Sequence, residues 1–85
     1  MNFAQLRAQW SDVLDVLEKR DRMTWMVFFD ARLVSLEKET LRMDFSDSRK
    51  FAGGFDFGEV KEHQRRSLID SIEEVCGIEV EIELT

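Results

Sequence analysis

The sequence predicts one two-layer α+β domain, a three-stranded sheet with helices mainly on one face. Three observations carry this. Apolar residues recur at steps of three and four over residues 3–19 and again over roughly 57–76, the period of an amphipathic helix. Three other stretches, "RLVSLE", "TLRMDF" and "GIEVEIELT", alternate apolar and polar residues, the period of a half-buried strand. The connections are short, and 85 residues leave room for a single small core.

The first helix is set by Phe3, Leu6, Trp10, Val13, Leu14 and Leu17, with Arg7, Gln9, Asp12, Asp15 and Lys19 on the opposite face. Asp21 is placed to cap a second helix. That helix, "RMTWMVFFDA", has five consecutive apolar residues from Trp25 to Phe29. They occupy every side of a helix, so it is either a short central core helix or one covered by a partner. In the next two segments Val34 and Leu36 alternate with Ser35, and Leu41, Met43 and Phe45 with Arg42 and Asp44. The polar "EKE" between them predicts an antiparallel hairpin. It lacks an Asn-Gly turn, so the sequence leaves the register open.

Ser46 or Asp47 is placed to cap one helical turn holding Phe51, ended by Gly53-Gly54. A long helix then runs from about Phe57 to Cys76, its inner face made of Val60, Gln64, Leu68, Ile69, Ile72, Val75 and Cys76. Gly77 is placed as its left-handed cap. Ile78, Val80, Ile82 and Leu84 of the last strand face the helices. If the second and third strands are parallel neighbours, the connection between them crosses over with right-handed sense.

The net charge of −6 is unevenly spread. Residues 1–66 hold 12 basic and 12 acidic side chains, whereas Asp70, Glu73, Glu74, Glu79, Glu81 and Glu83 follow with no Lys or Arg. A nucleic-acid binder ordinarily shows the reverse, a basic stripe that displaces counterions from phosphate. The glutamates of the last strand, about 7 Å apart on one face, suit either a solvated margin that opposes sheet extension or recognition of a basic partner. No calcium-loop pattern accompanies them.

With one His and one Cys in the chain, neither a disulfide nor a Cys/His zinc site forms within it. Cys76 and His63 fall on one predicted helix, about 20 Å apart along its axis, too far for a nucleophile–base pair. The expectation is therefore no catalytic residue, no metal and no cofactor. No apolar run reaches the roughly 18 residues of a membrane helix, and no secretory signal opens the chain. A lone cysteine fits a reducing, cytoplasmic setting.

The segment "FAQLRAQWSDVLDVLEKRDRMTWMVFFDARLVSLEKETLRMDF" resembles the C-terminal region of the gamma/tau subunit of bacterial DNA polymerase III, the clamp-loader protein. Trp10, Val13 and Leu14 match the Trp and paired aliphatics of that family's first helix. Ala31, Leu33 and Leu36 fit its first strand, and Leu41-Arg42-Met43-Asp44-Phe45 its second. A long helix ending near Gly77 and an alternating final strand complete a likeness that covers almost the whole chain. Arg32 stands where the family commonly has proline. The resemblance implies a KH-like fold of order α-α-β-β-(short α)-α-β, carried as the C-terminal module of a longer chain. It also implies a non-enzymatic role, binding the large alpha subunit of the polymerase and tethering it to the clamp loader.

Within "SRKFAGGFDFG", Gly53, Gly54 and Gly58 never give the GxxG spacing with which KH domains clamp a nucleic-acid backbone. Asp56 and Glu59 add negative charge there, partly offset by Arg49, Lys50 and Lys61. Phe51, Phe55 and Phe57 either plug the end of the core or form an apolar patch for a partner. The candidate partner-binding residues are Trp25, Phe28, Arg49, Lys50, Phe51, Phe55 and Phe57, aromatic groups with a basic rim. The alternatives are a small nucleic-acid binder, which needs Arg49, Lys50, Lys61, Arg65 and Arg66 to converge, and self-association through the second helix or a sheet edge.

Overall fold

A computed structural model describes residues 1–44 and 62–84. Helix α1 (Phe3–Arg20) is fixed at its start by a capping box. The Asn2 Oδ1 accepts from the Gln5 N–H, and the Asn2 N–H donates to the Gln5 Oε1, both at 2.9 Å. Lys19 and Arg20 in its last turn complement the negative end of the helix dipole. Leu6, Val13 and Leu17 are fully buried, as their spacing predicts.

Asp21 ends α1 and begins α2 (Arg22–Phe28). Its N–H donates to the Leu17 carbonyl at 2.8 Å. Its carboxylate accepts from the Thr24 N–H at 3.2 Å and the Thr24 hydroxyl at 2.6 Å. A single residue thus closes one helix and opens the next. These Thr24 hydrogen bonds hold the Asp21 carboxyl below its ordinary value. Asp21→Ala is expected to cost about 1 kcal/mol at neutral pH. Because the folded-state value is lowered, that contribution is complete above the usual carboxyl range of about 4. It is lost as pH falls through the lowered value. Chemical denaturation of the two proteins at pH 7 and at progressively lower pH checks this: the gap should narrow as the pH falls.

The sheet has the order β1-β2-β3, from β1 (Arg32–Glu37), β2 (Thr40–Asp44) and β3 (Glu81–Leu84). β2 is central, antiparallel to β1 and parallel to β3. Between β2 and β3 in the chain lies α3 (Glu62–Cys76). The helices pack on one face of the sheet. Leu41, Met43 and Ile82 turn inward to meet Leu6, Val13, Leu17, Phe28, Leu68 and Ile72, while Arg42, Glu81 and Glu83 are exposed. Arg42 and Glu83 pair across the open face at 3.3 Å.

The hairpin register is fixed by a two-residue turn at Lys38 and Glu39, with φ of 49° and 64°, joining the pair Glu37↔Thr40. Two consecutive left-handed residues suit the twist of a hairpin, but each costs about 1 kcal/mol or more when it carries a side chain. Lys38→Asn with Glu39→Gly is expected to stabilise the fold by about 1 kcal/mol, after the greater unfolded-state freedom of glycine is deducted. That corresponds to a rise of roughly 4–8 °C in the thermal midpoint; a melting curve that does not move would refute the turn geometry.

Three expectations are corrected. Val34 does not share the inner face with Leu36: it is exposed. The register slips between Leu33 and Ser35, so that Leu33 opposes Met43 and Leu36 opposes Leu41. A bulge reconciles two inward leucines three positions apart with a strand period of two. The last strand is shorter than its alternation suggests. Its pairing begins at Glu81, whose N–H donates to the Glu39 carbonyl at 2.8 Å, because the partner strand has already turned away. Val80 still packs on the core and Ile78 is partly buried. Finally, α2 is not a central core helix: only Thr24 and Phe28 are fully buried.

In α3, Leu68 and Ile72 are buried, with Ile69, Val75 and Cys76 packed beside them, as expected. Ser71 is buried too, its hydroxyl donating to the Ser67 carbonyl at 2.8 Å. Gly77 has φ +72° and its N–H donates to the Glu73 carbonyl at 2.8 Å, the predicted left-handed cap. The short helix expected around Phe51, the start of the long helix between residues 57 and 61, and Val60 lie outside the described residues.

Candidate functional site

Seven residues of helix make α2 too short to bury all the apolar side chains it carries. Thr24 and Phe28, one turn apart, face the core, and Trp25 and Val27 are half-buried at its margin. The remaining side falls to Met23, Met26 and Phe29, exposed by 72%, 48% and 44%. The Trp25 and Phe29 rings stack, with centroids 4.9 Å apart and planes 23° from parallel. Arg22 is exposed beside them. The result is an apolar strip of two flexible thioethers and a stacked aromatic pair on a helix fixed at its N-terminus by Asp21. Methionine adapts to irregular partners, whereas the rings supply stiff contact area.

Phe28, expected as a partner-contacting residue, is completely buried and has no surface to offer. The reason is its position, four residues after Thr24 on the core-facing side of α2. Trp25 stands at the edge of the strip. Arg49, Lys50, Phe51, Phe55 and Phe57 lie outside the described residues, as do Lys61 and the glycines of that segment. Met23, Met26 and Phe29 were not among the expected site residues. Their signal was present: with apolar groups on every side of a short helix, those turned from the core must surface.

No family model, curated protein or solved structure matches this chain.

The arginines of α3 are engaged. Arg65 donates through Nη1 to the Ile82 carbonyl at 3.0 Å, pinning α3 to β3. Arg66 lies 3.3 Å from Asp70 and 3.9 Å from Glu79. Glu79, Glu81 and Glu83 are all exposed at the β3 margin, and Glu83 alone of them faces Arg42. Burial pushes the Cys76 thiol up, and the negative charge of Asp12 adds to that, so the thiol stays protonated and a poor nucleophile. His63 and Cys76 occupy opposite ends of α3. Among the described residues no three His, Cys, Asp or Glu side chains cluster as metal ligands. No helix among them is long and apolar enough to cross a membrane.

Proposed function

We propose that this chain is a non-enzymatic protein-interaction module that engages its partner through the exposed face of α2. The observation that carries the reading is the contiguous Met23, Met26 and Phe29 strip beside Trp25. Contiguous exposed apolar side chains of this kind favour a protein surface as the occupant. The resemblance of "FAQLRAQW" through "TLRMDF" to the gamma/tau C-terminal region supplies the partner: the large alpha subunit of DNA polymerase III, held to the clamp loader in the cytoplasm.

The nucleic-acid reading is weaker. It needs Arg65 and Arg66 on an open basic surface, and both are already engaged by a carbonyl or carboxylates. The glutamates at the β3 margin oppose phosphate there. Self-association is favoured by the same apolar strip, since a second copy would cover it equally well.

Calorimetric titration against the C-terminal segment of the polymerase large subunit tests the proposal, beside fluorescence anisotropy with single-stranded DNA at low salt. Saturable binding to the protein segment is expected, without tight, salt-sensitive binding to DNA. DNA binding alone would reverse the assignment, and a concentration-dependent dimer by light scattering would transfer the strip to a second copy.

A further inference from the structure

The chain has four methionines, and the fold treats them differently. Met43 is fully buried in the core from β2. Met23 and Met26 are exposed by 72% and 48%. They are three residues apart on α2, and so neighbours on one side of the helix. Met1 is exposed as well, but it stands at the far end of α1 from the junction with α2.

Exposure decides which thioether a dissolved oxidant reaches, and Met23 is the most exposed sulfur-bearing residue of the chain. The single thiol competes poorly. Cys76 is partly buried and stays protonated, and the protonated thiol is the slow form. A thioether needs no deprotonation to react. Oxidation at α2 would also spare the framework. Thr24 and Phe28 hold the core side of the helix, Asp21 holds its N-terminus through Thr24, and neither Met23 nor Met26 belongs to the buried core. The outer strip is another matter, because it consists of these two thioethers beside the stacked Trp25 and Phe29 rings. A sulfoxide turns an apolar group into a strongly polar acceptor, which an apolar partner surface leaves without a donor.

We propose that Met23 and Met26 are paired oxidation sites whose conversion to sulfoxide switches off the contact strip of α2. The oxidant is a hydroperoxide. A sulfur lone pair attacks one peroxide oxygen, an S–O bond forms and the O–O bond breaks. Sulfur gives up two electrons, and the departing hydroxide takes a proton and leaves as water. A dithiol reductase reverses the step: two thiols become a disulfide and the oxygen leaves as water. The inference rests on the reading of α2 as the contact surface, and adds to it a reversible chemical control.

The test treats the full chain with dilute hydrogen peroxide and follows each methionine by peptide mass mapping. Met23 is expected to gain oxygen fastest. Met43 should react about tenfold or more slowly, because it must wait for the core to open, and circular dichroism should show the fold intact. Affinity for the polymerase segment should fall about tenfold or more, and methionine sulfoxide reductases with a dithiol should restore it. Met23→Leu with Met26→Leu keeps the strip apolar at similar volume. That variant should bind as tightly as the untreated chain and ignore peroxide, although its Met1 is still oxidised. Oxidation of Met43 as fast as Met23, affinity unchanged at full conversion, or a leucine variant that loses affinity in peroxide as the unaltered chain does overturns the switch. If the untreated chain does not bind the segment, the partner reading fails, and retention on a phenyl column, which needs no partner, decides this inference. Earlier elution of the oxidised chain, but not of the treated leucine variant, upholds it; any other elution pattern overturns it.

Discussion

Phe28→Ala is expected to destabilise the domain by about 3–5 kcal/mol, the usual cost of emptying a fully buried aromatic site. A domain of this size has roughly 4–13 kcal/mol in total. The substitution therefore removes a large share of the fold's margin. Phe28 lies in the same core as Leu6, Val13, Leu17 and Leu68, and α2 hangs from it on the side opposite the exposed methionines. The variant should show an earlier denaturation midpoint by chemical unfolding. Any loss of partner binding would follow the lost population of folded chain. A Phe28→Ala protein that kept its stability and lost only binding would return Phe28 to the contact surface.

Met23→Glu with Met26→Glu is the opposite experiment. Both side chains are on the open side of α2, and glutamate is a good helix former, so stability should change by no more than about 0.5 kcal/mol. Two charges placed in an apolar contact must be desolvated on binding, and leaving even one unpaired costs several kcal/mol. Affinity for the polymerase segment should fall about a hundredfold or more. Calorimetry reads the affinity and thermal melting reads the fold. Unchanged affinity in a folded protein would take α2 out of the interface. The two variants together separate the side of α2 that holds the domain together from the side that faces outward.

The parts of this fold legible in the sequence are those in which one residue has one local job. Asp21 and Gly77 announce helix ends because a carboxylate beside free N–H groups and a residue without Cβ at positive φ answer local demands. The stripe Leu6, Val13 and Leu17 could be read because only one side of α1 is apolar. α2 defeats that logic: when every side is apolar, period carries no information, and only the position of α1 decides that Phe28 goes in and Met26 stays out. The bulge at Val34 was hidden for a related reason. Leu33 and Leu36 cannot both face inward on a regular strand, and the alternation of Val34 with Leu36 was the more regular pattern. The capping box of Asn2 and Gln5 shows in the sequence only as a spacing of three residues. At α2 the same ambiguity hides that Phe28 is buried and Met23 exposed, with Trp25 half-buried between them.

The kink at Val34 bears on how the protein survives at high concentration. Among the described residues the sheet has two open margins, and each invites stacking of one molecule on the next into fibrils. Here the β1 margin is bent by its extra residue, so it is a poor flat template. The β3 margin is only four residues long and lined by Glu81 and Glu83, whose like charges repel a copy of themselves. With polymerisation opposed at both ends by different means, the molecule can afford a sticky helix on its outside.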